Sequence, residues 1–81
     1  MKLPRDVGGK DLIKLLAKFG YEVVRQTGSH VRLKSETMGK VHFITIPLHK
    51  RLKLGTLNNI LSDIAEYLEM DKKELMEKLF G

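Results

Sequence analysis

A very short link between two β-rich segments constrains the fold of this chain more than any other feature. Tyr21–Gln26 is rich in β-forming residues, and Ser29–Lys34 alternates apolar and polar side chains. Only Thr27-Gly28 lies between these segments. Because so short a link cannot carry the chain across a sheet, the two strands must pair as an antiparallel hairpin.

A third strand is predicted over Val41–Ile46, after a polar loop over Ser35–Lys40 that contains Gly39. Its apolar residues fall on both faces of a strand: Val41, Phe43, Ile44 and Ile46. This pattern does not show which face of the strand packs on the core. It leads us to expect that the third strand is the best covered strand of the sheet. Pro47 lacks a backbone N–H and should end the strand.

Helical periodicity flanks the strands on both sides. Before them, an apolar stripe recurs three and four residues apart and stops at Gly20, a typical C-terminal helix residue; it consists of Leu12, Leu15, Leu16 and Phe19. After them, a second helix opens at Gly55-Thr56, with Thr56 or a neighbour as its N-cap. Its stripe consists of Leu57, Ile60, Leu61, Ile64 and Leu68. A final short helix is predicted from Met70-Asp71, where Asp71 and Glu74 have the spacing of a capping box.

This element order predicts an α+β fold in which three antiparallel strands pack on two helices. The order is α-β-β-β-α, with a short additional helix at the end, and Met1–Val7 is an extended lead-in. With 81 residues we expect a single domain over 1–81. Helices cover only one face of such a sheet, as in a double-stranded-RNA-binding domain, so the other face should be open.

Composition excludes several classes of site. The chain has no cysteine, which rules out disulfides and cysteine-bound metals and suits a reducing cytoplasm. No apolar run reaches the roughly 18 residues of a membrane helix, and no signal peptide is visible. Sequences typical of zinc, nucleotide and serine-hydrolase sites are also missing, so we expect no metal and no nucleotide cofactor. The net charge of +5 favours a polyanion, although solubility or an acidic protein partner would explain it as well.

The polar face of the second strand carries the strongest candidate for chemistry. His30, Arg32 and Lys34 alternate with residues that face the core. Histidine is the side chain best suited to proton transfer near neutral pH, and the two cations could hold a phosphate. RNA cleavage needs no metal in principle, because the substrate's 2′-hydroxyl can attack its own phosphate if a base removes its proton and an acid protonates the leaving oxygen. The alternative is an ordinary hydrogen-bonded surface histidine.

Other residues are open to two interpretations each. Gly28 allows close backbone approach to a ligand, whereas Ser29, which should face away from His30, either contacts phosphate or stabilises the turn. The connector Leu48–Gly55 is basic, and His49 within it is either a second proton-transfer or phosphate group or a plain loop residue. Its cations are Lys50, Arg51 and Lys53.

His42 lies among apolar residues and is expected to be structural. A helical lysine row is either a solvated face or a set of phosphate contacts: Lys10, Lys14 and Lys18.

Three elements in order make the chain resemble the HicA family of toxins. These are Gly28-Ser29-His30, then Pro47-Leu48-His49, then Gly55-Thr56-Leu57. The resemblance covers nearly the whole chain, beginning with Lys18-Phe19-Gly20-Tyr21-Glu22. One departure is Gly8-Gly9 before the first helix, where serine is common in such sequences.

The resemblance implies a toxin of a type II toxin–antitoxin module with a double-stranded-RNA-binding-like fold. Its implied activity is ribosome-independent endonucleolytic cleavage of mRNA. The essential histidine of the family maps onto His30, and the implied partner is a HicB antitoxin that covers this site. Two other functions fit the residues: a non-catalytic RNA-binding module, and an interaction protein that meets an acidic partner.

Overall fold

The computed structural model describes residues 4–81 of the chain. Met1–Leu3, the first part of the expected lead-in, lie outside the described residues. The elements in chain order are α1 (Gly9–Leu16, continued by a 3-10 turn over Ala17–Phe19), β1 (Glu22–Thr27), β2 (His30–Ser35), β3 (His42–Pro47), α2 (Leu54–Leu68) and α3 (Lys72–Phe80). The predicted α+β layout is confirmed, with each strand displaced by one residue from its expected bounds.

The three strands form one antiparallel sheet in the order β1-β2-β3. The central strand is therefore β2, and our expectation that the third strand is the best covered was wrong. Along β3, Ile44 and Ile46 face the core, whereas Phe43 and Thr45 are exposed on the opposite face. The strand does alternate. Its pattern is ambiguous in the sequence because Phe43 is apolar and yet lies on the solvent side.

Strand β2 alternates as predicted, and the helices cover its apolar face. Val31 and Leu33 are buried, and Ser35, predicted to begin a loop, is the last residue of the strand. Ser35 is 1% exposed, and its hydroxyl lies 3.0 Å from that of Thr37. Ile46 of β3 is fully buried as well, and the helices contribute the remaining fully buried large side chains of the core, which are Leu12, Leu16, Leu57, Leu61, Ile64 and Leu75.

The helix ends differ in detail from their predicted positions. Gly20 ends the first helical segment in the left-handed conformation, as expected. Thr56, the expected N-cap of the second helix, lies inside α2, which begins two residues earlier because the Leu57 N–H already donates to Lys53 O at 2.9 Å. Asp71 occupies the N-cap position of α3, but its side chain makes no capping hydrogen bond. The predicted capping box with Glu74 is therefore not formed.

The glycine pair at the start of α1, Gly8 and Gly9, packs directly on the end of β3 and the connector that follows it. A Cβ added to Gly8 would lie 2.5 Å from Lys50 O, and one added to Gly9 would come under 3.0 Å from Pro47 O. The Gly9 N–H donates to His49 O at 3.0 Å, so the two backbones are joined as well as close. In place of a serine cap, the Asp11 carboxylate accepts a hydrogen bond from the Gly8 N–H at 3.2 Å.

Candidate nucleic-acid interface on the open sheet face

The face of the sheet that turns away from the helices is open and carries the predicted site. His30, Arg32 and Lys34 point outwards from the central strand, and they are exposed or half-buried. Strand pairing places Pro47, Thr45 and Phe43 beside them on β3, and Thr27, Arg25 and Glu22 beside them on β1. The three predicted residues thus occupy the middle row of one continuous surface.

His30 lies at one end of this middle row and is exposed. As the first residue of β2 it pairs with Thr27 on one side and Pro47 on the other. Its side chain lines a cavity of about 270 Å³ whose other walls are Arg25, Thr27, Arg32 and Thr45. A ligand can therefore reach the imidazole from solvent, and two guanidinium groups border the same cavity.

The turn before His30 holds the start of β2 in place. Gly28 has φ +58° and is followed by a residue with negative φ, the pattern of a two-residue hairpin turn that takes glycine at its first position. Gln26 Nε2 donates to Gly28 O at 3.1 Å. Ser29 belongs to this turn and not to the strand, contrary to its predicted place, and its side chain is exposed. Its carbonyl accepts the Leu48 N–H at 2.7 Å, which joins the turn to the end of β3.

The two cations of the middle row are held differently. The Arg32 guanidinium carbon lies 4.6 Å from the centroid of the Phe43 ring, a cation–π contact on an exposed surface. The Lys34 ammonium lies 3.7 Å from Glu36, in an ion pair that solvent screens. Arg32 is therefore the better oriented of the two for binding an anion, whereas Lys34 can exchange its partner at little cost.

Comparison with protein families shows where this arrangement belongs. Residues 9–65 match the family described as "HicA toxin of bacterial toxin-antitoxin". The match spans more than half of the 81 residues and includes the whole sheet and most of α2. The chain belongs to the HicA toxin family. No curated protein and no solved structure gives a significant match to it.

Membership of the HicA family identifies the chain as a toxin and implies an antitoxin partner. Within residues 4–81, no helix has both the length and the apolar character needed to cross a membrane.

The connector residues of this HicA chain do not join the His30 cavity. His49 is exposed and lines a separate cavity of about 310 Å³, together with Gly8, Lys10 and Leu48 among others. Lys50 borders the same cavity as His49. Arg51 lies 3.4 Å from Asp6 in an exposed ion pair. Lys53 is the N-cap residue of α2.

His42 lies on the opposite, core-facing side of the sheet, in a hydrogen-bonded network. Its Nδ1 is 2.7 Å from the Tyr21 hydroxyl, and its Nε2 is 3.2 Å from Asp63. Burial, followed by the nearby Tyr67 and Asp63, raises the pKa of the Tyr21 hydroxyl, which therefore stays protonated. The Asp63 carboxylate can only accept, so Nε2 carries a ring proton and donates to it, and in the neutral ring Nδ1 accepts from the Tyr21 hydroxyl. The ring also stacks on Tyr67 with centroids 4.6 Å apart. These contacts agree with the structural role expected for His42.

Three residues of the open face were not singled out in the sequence. Arg25 and Thr45 line the His30 cavity, and Phe43 lies against Arg32. The predicted turn at Thr27-Gly28 places Arg25 opposite His30, whereas the observed turn at Gly28-Ser29 places it opposite Arg32. Either register puts Arg25 on the open face. Phe43 carries no comparable signal, since an apolar residue in a strand is normally assigned to the core.

Proposed function

We propose that this HicA toxin is a metal-independent endoribonuclease that cleaves mRNA in the cytoplasm and uses His30 as its acid/base group. The observation that carries the proposal is the exposed imidazole in a cavity bordered by Arg25 and Arg32 on an open sheet face. A surface of this kind offers a polyanion both attraction and a proton-transfer group.

The proposed reaction is attack by a ribose 2′-oxygen on its own 3′-phosphate. The new bond joins O2′ to phosphorus, and the bond from phosphorus to the 5′-oxygen of the next nucleotide breaks. A base takes the 2′-hydroxyl proton, and an acid gives a proton to the leaving 5′-oxygen, which leaves a 2′,3′-cyclic phosphate and a 5′-hydroxyl. His30 moves one of these two protons.

Cations around His30 would hold the phosphate and stabilise the charge that develops on it. We assign this role first to Arg32, which borders the cavity, and then to Lys34 two residues further along β2. The backbone of the turn at Gly28 and Ser29 would contact the same strand of RNA. The connector cations would hold a more distant part of it; these are Lys50, Arg51 and Lys53.

We assign His49 to RNA binding, because it lines a different cavity from His30. His49→Ala should then raise KM and leave kcat nearly unchanged, whereas His30→Ala should lower kcat. A large loss of kcat in His49→Ala would instead make this residue the second proton-transfer group.

A HicB-like antitoxin is the proposed partner, and it would neutralise the toxin by covering the face around His30. Bacterial expression of the toxin alone should therefore arrest growth, and His30→Ala should relieve the arrest. In the complex, the backbone amides of β2 and the turn before it should exchange hydrogen more slowly than in the free toxin. A harmless wild-type toxin, or unchanged exchange around His30, would contradict this assignment.

The nuclease proposal is tested with purified toxin, an unstructured RNA and an excess of EDTA. The toxin should cleave the RNA to products with a 2′,3′-cyclic phosphate, and it should bind but not cleave the same oligonucleotide made with 2′-deoxyribose. Tight, salt-sensitive binding of RNA without scission would show a binding module instead. Cleavage of the deoxy oligonucleotide would rule out attack by the 2′-hydroxyl.

A further inference from the structure

Two arginines stand opposite each other on the open face without a counter-charge. Arg25 on β1 and Arg32 on β2 are direct partners in the antiparallel ladder, and both are exposed. Among residues 4–81, no carboxylate lies within ion-pair distance of either one. Like charges placed directly across a pair of strands destabilise a sheet. An anion bound between the two guanidinium groups would relieve this repulsion.

An exposed aromatic ring adjoins this pair. Phe43 is 43% exposed on the outer face of β3, and Arg32 lies over its ring. Unpaired nucleobases stack on aromatic rings and on guanidinium planes. The cation–π pair of Arg32 and Phe43 therefore presents the two kinds of surface that a base prefers.

The phosphate-binding and stacking features share two lining residues. Arg32 and Thr45 line both the His30 cavity and a second cavity of about 290 Å³, which Phe43 also borders, together with Asn59 and Asp63 of α2. Positions two residues apart on one strand, such as His30 and Arg32, are separated by about 7 Å. An extended single strand of RNA can thus lie along β2 with one phosphate near His30 and the neighbouring base near Phe43.

We propose that Arg25 and Arg32 together hold the phosphate beside His30, and that the Arg32–Phe43 pair stacks the adjacent unpaired base. This inference rests on the proposed function for the reaction, but it concerns binding and can be tested separately. It makes Arg25 and Phe43 substrate-positioning residues. It also restricts the bound segment to unpaired RNA, because a base within a duplex cannot reach the Phe43 ring.

Binding is measured by fluorescence anisotropy in the His30→Ala background, so that the RNA stays intact. Arg25→Gln should weaken binding of an unstructured RNA by about 10-fold or more at low salt. It should also lower the salt dependence by about 0.7 in the log–log slope. Lys73→Gln is the matched control, since it removes the same charge from an exposed site on α3 and should change neither quantity.

The stacking contact has its own pair of variants. Phe43→Leu keeps an apolar side chain but removes the ring, and it should weaken binding by about 5- to 150-fold with an unchanged salt slope. Phe43→Tyr should retain the affinity. A duplex form of the same RNA should bind the Phe43→Leu and parent proteins equally, because its bases are already stacked.

A stability measurement distinguishes this role from a structural one. Arg25→Gln removes a repulsive cross-strand pair, so it should leave the urea midpoint unchanged or raise it while it weakens RNA binding. If Arg25→Gln lowers both stability and affinity, the residue acts through the fold and the proposal fails.

The remaining outcomes separate this inference from the proposed nuclease. Suppose that the wild-type toxin cleaves RNA, that Arg25→Gln binds RNA with the same affinity and salt slope as Lys73→Gln, and that Phe43→Leu binds RNA with the parent affinity. The nuclease proposal then stands and this inference fails. If these variants lose RNA affinity but no RNA is cleaved, the inference stands and the nuclease fails. If they lose affinity only for the antitoxin, the face is a protein-docking surface and the inference is overturned.

Discussion

The close contact between Gly9 and the connector makes Gly9→Ala the most sharply determined stability change in this chain. A methyl group at Gly9 would come under 3.0 Å from Pro47 O and 3.0 Å from Leu48 Cα. Both neighbours are backbone atoms, one in the last residue of β3 and one in the residue after it, so no side-chain rotation can relieve the contact. Either α1 or the connector must therefore move.

The size of the effect follows from three contributions. Overpacking costs about 1–3 kcal/mol. A displaced Gly9 N–H would weaken its hydrogen bond to His49 O, which contributes about 0.5–1.5 kcal/mol. The higher helix propensity of alanine offsets at most about 1 kcal/mol of this loss of stability. We therefore expect Gly9→Ala to lower the free energy of unfolding by about 1–3 kcal/mol.

Gly55→Ala is the matched control, because Gly55 also lies in the first turn of a helix. Nothing lies within 4 Å of a Cβ added there, so alanine should stabilise the chain by about 0.5–1 kcal/mol. Urea unfolding followed by circular dichroism compares the midpoints of the two variants at equal m-value. Equal midpoints for Gly9→Ala and Gly55→Ala would refute the close packing of α1 on the connector.

Three further changes test other parts of the structure. His42→Ala should lower the free energy of unfolding by about 1–3 kcal/mol, because it leaves the buried Tyr21 hydroxyl without its acceptor. In the same denaturation assay, His49→Ala should lower the free energy of unfolding by less than about 0.5 kcal/mol. The free energy of unfolding should fall as pH rises above about 10, because the unfolded chain then loses the Tyr21 phenol proton while the folded chain keeps it. Urea titrations across this pH range should show a smaller loss of stability in Tyr21→Phe. Gly28→Ala should lower the free energy of unfolding by about 1–2 kcal/mol through the positive φ of this residue alone, and Gly28→Asn should lower it by less. Melting curves would show the difference. Equal losses of stability in the two variants would mean that backbone conformation is not the cause.

Most of the fold could be predicted because local patterns and core packing agree in this chain. Alternation along β2 assigned Val31 and Leu33 to the core and His30 and Arg32 to the outer face, and the structure confirms both assignments. The alternation of β3 was hidden because Phe43 is apolar on the solvent side, where Arg32 covers it. Binary patterning fails at such a residue because it equates apolar with buried.

Side-chain capping was the weaker guide to helix ends. Thr56 has a favourable residue type for an N-cap, but backbone hydrogen bonds begin α2 two residues earlier. Asp71 does occupy the predicted position, yet its carboxylate makes no capping bond. Residue type predicts where a cap is possible, and tertiary packing decides whether it forms.

The candidate site could be predicted only along its own strand. His30, Arg32 and Lys34 follow from alternation. The pairing of Arg25 with Arg32 does not follow from the sequence, because the predicted turn at Thr27-Gly28 pairs Arg25 with His30. Beyond Arg25 the register shifts at an irregularity between Val23 and Arg25, which no sequence signal marked. The network of His42 with Tyr21 and Asp63 joins residues 21 positions apart on either side, and such contacts arise only once the sheet has packed on α2.

The most direct test of the central claim is the rate at which folded toxin cleaves one defined RNA in the presence of EDTA, compared between the wild type and His30→Ala. His30 is exposed, so the variant should fold with unchanged stability and bind the RNA, while its single-turnover rate should fall by about 10²- to 10⁴-fold. Equal rates for the two proteins would show that the imidazole on the open sheet face takes no part in cleavage.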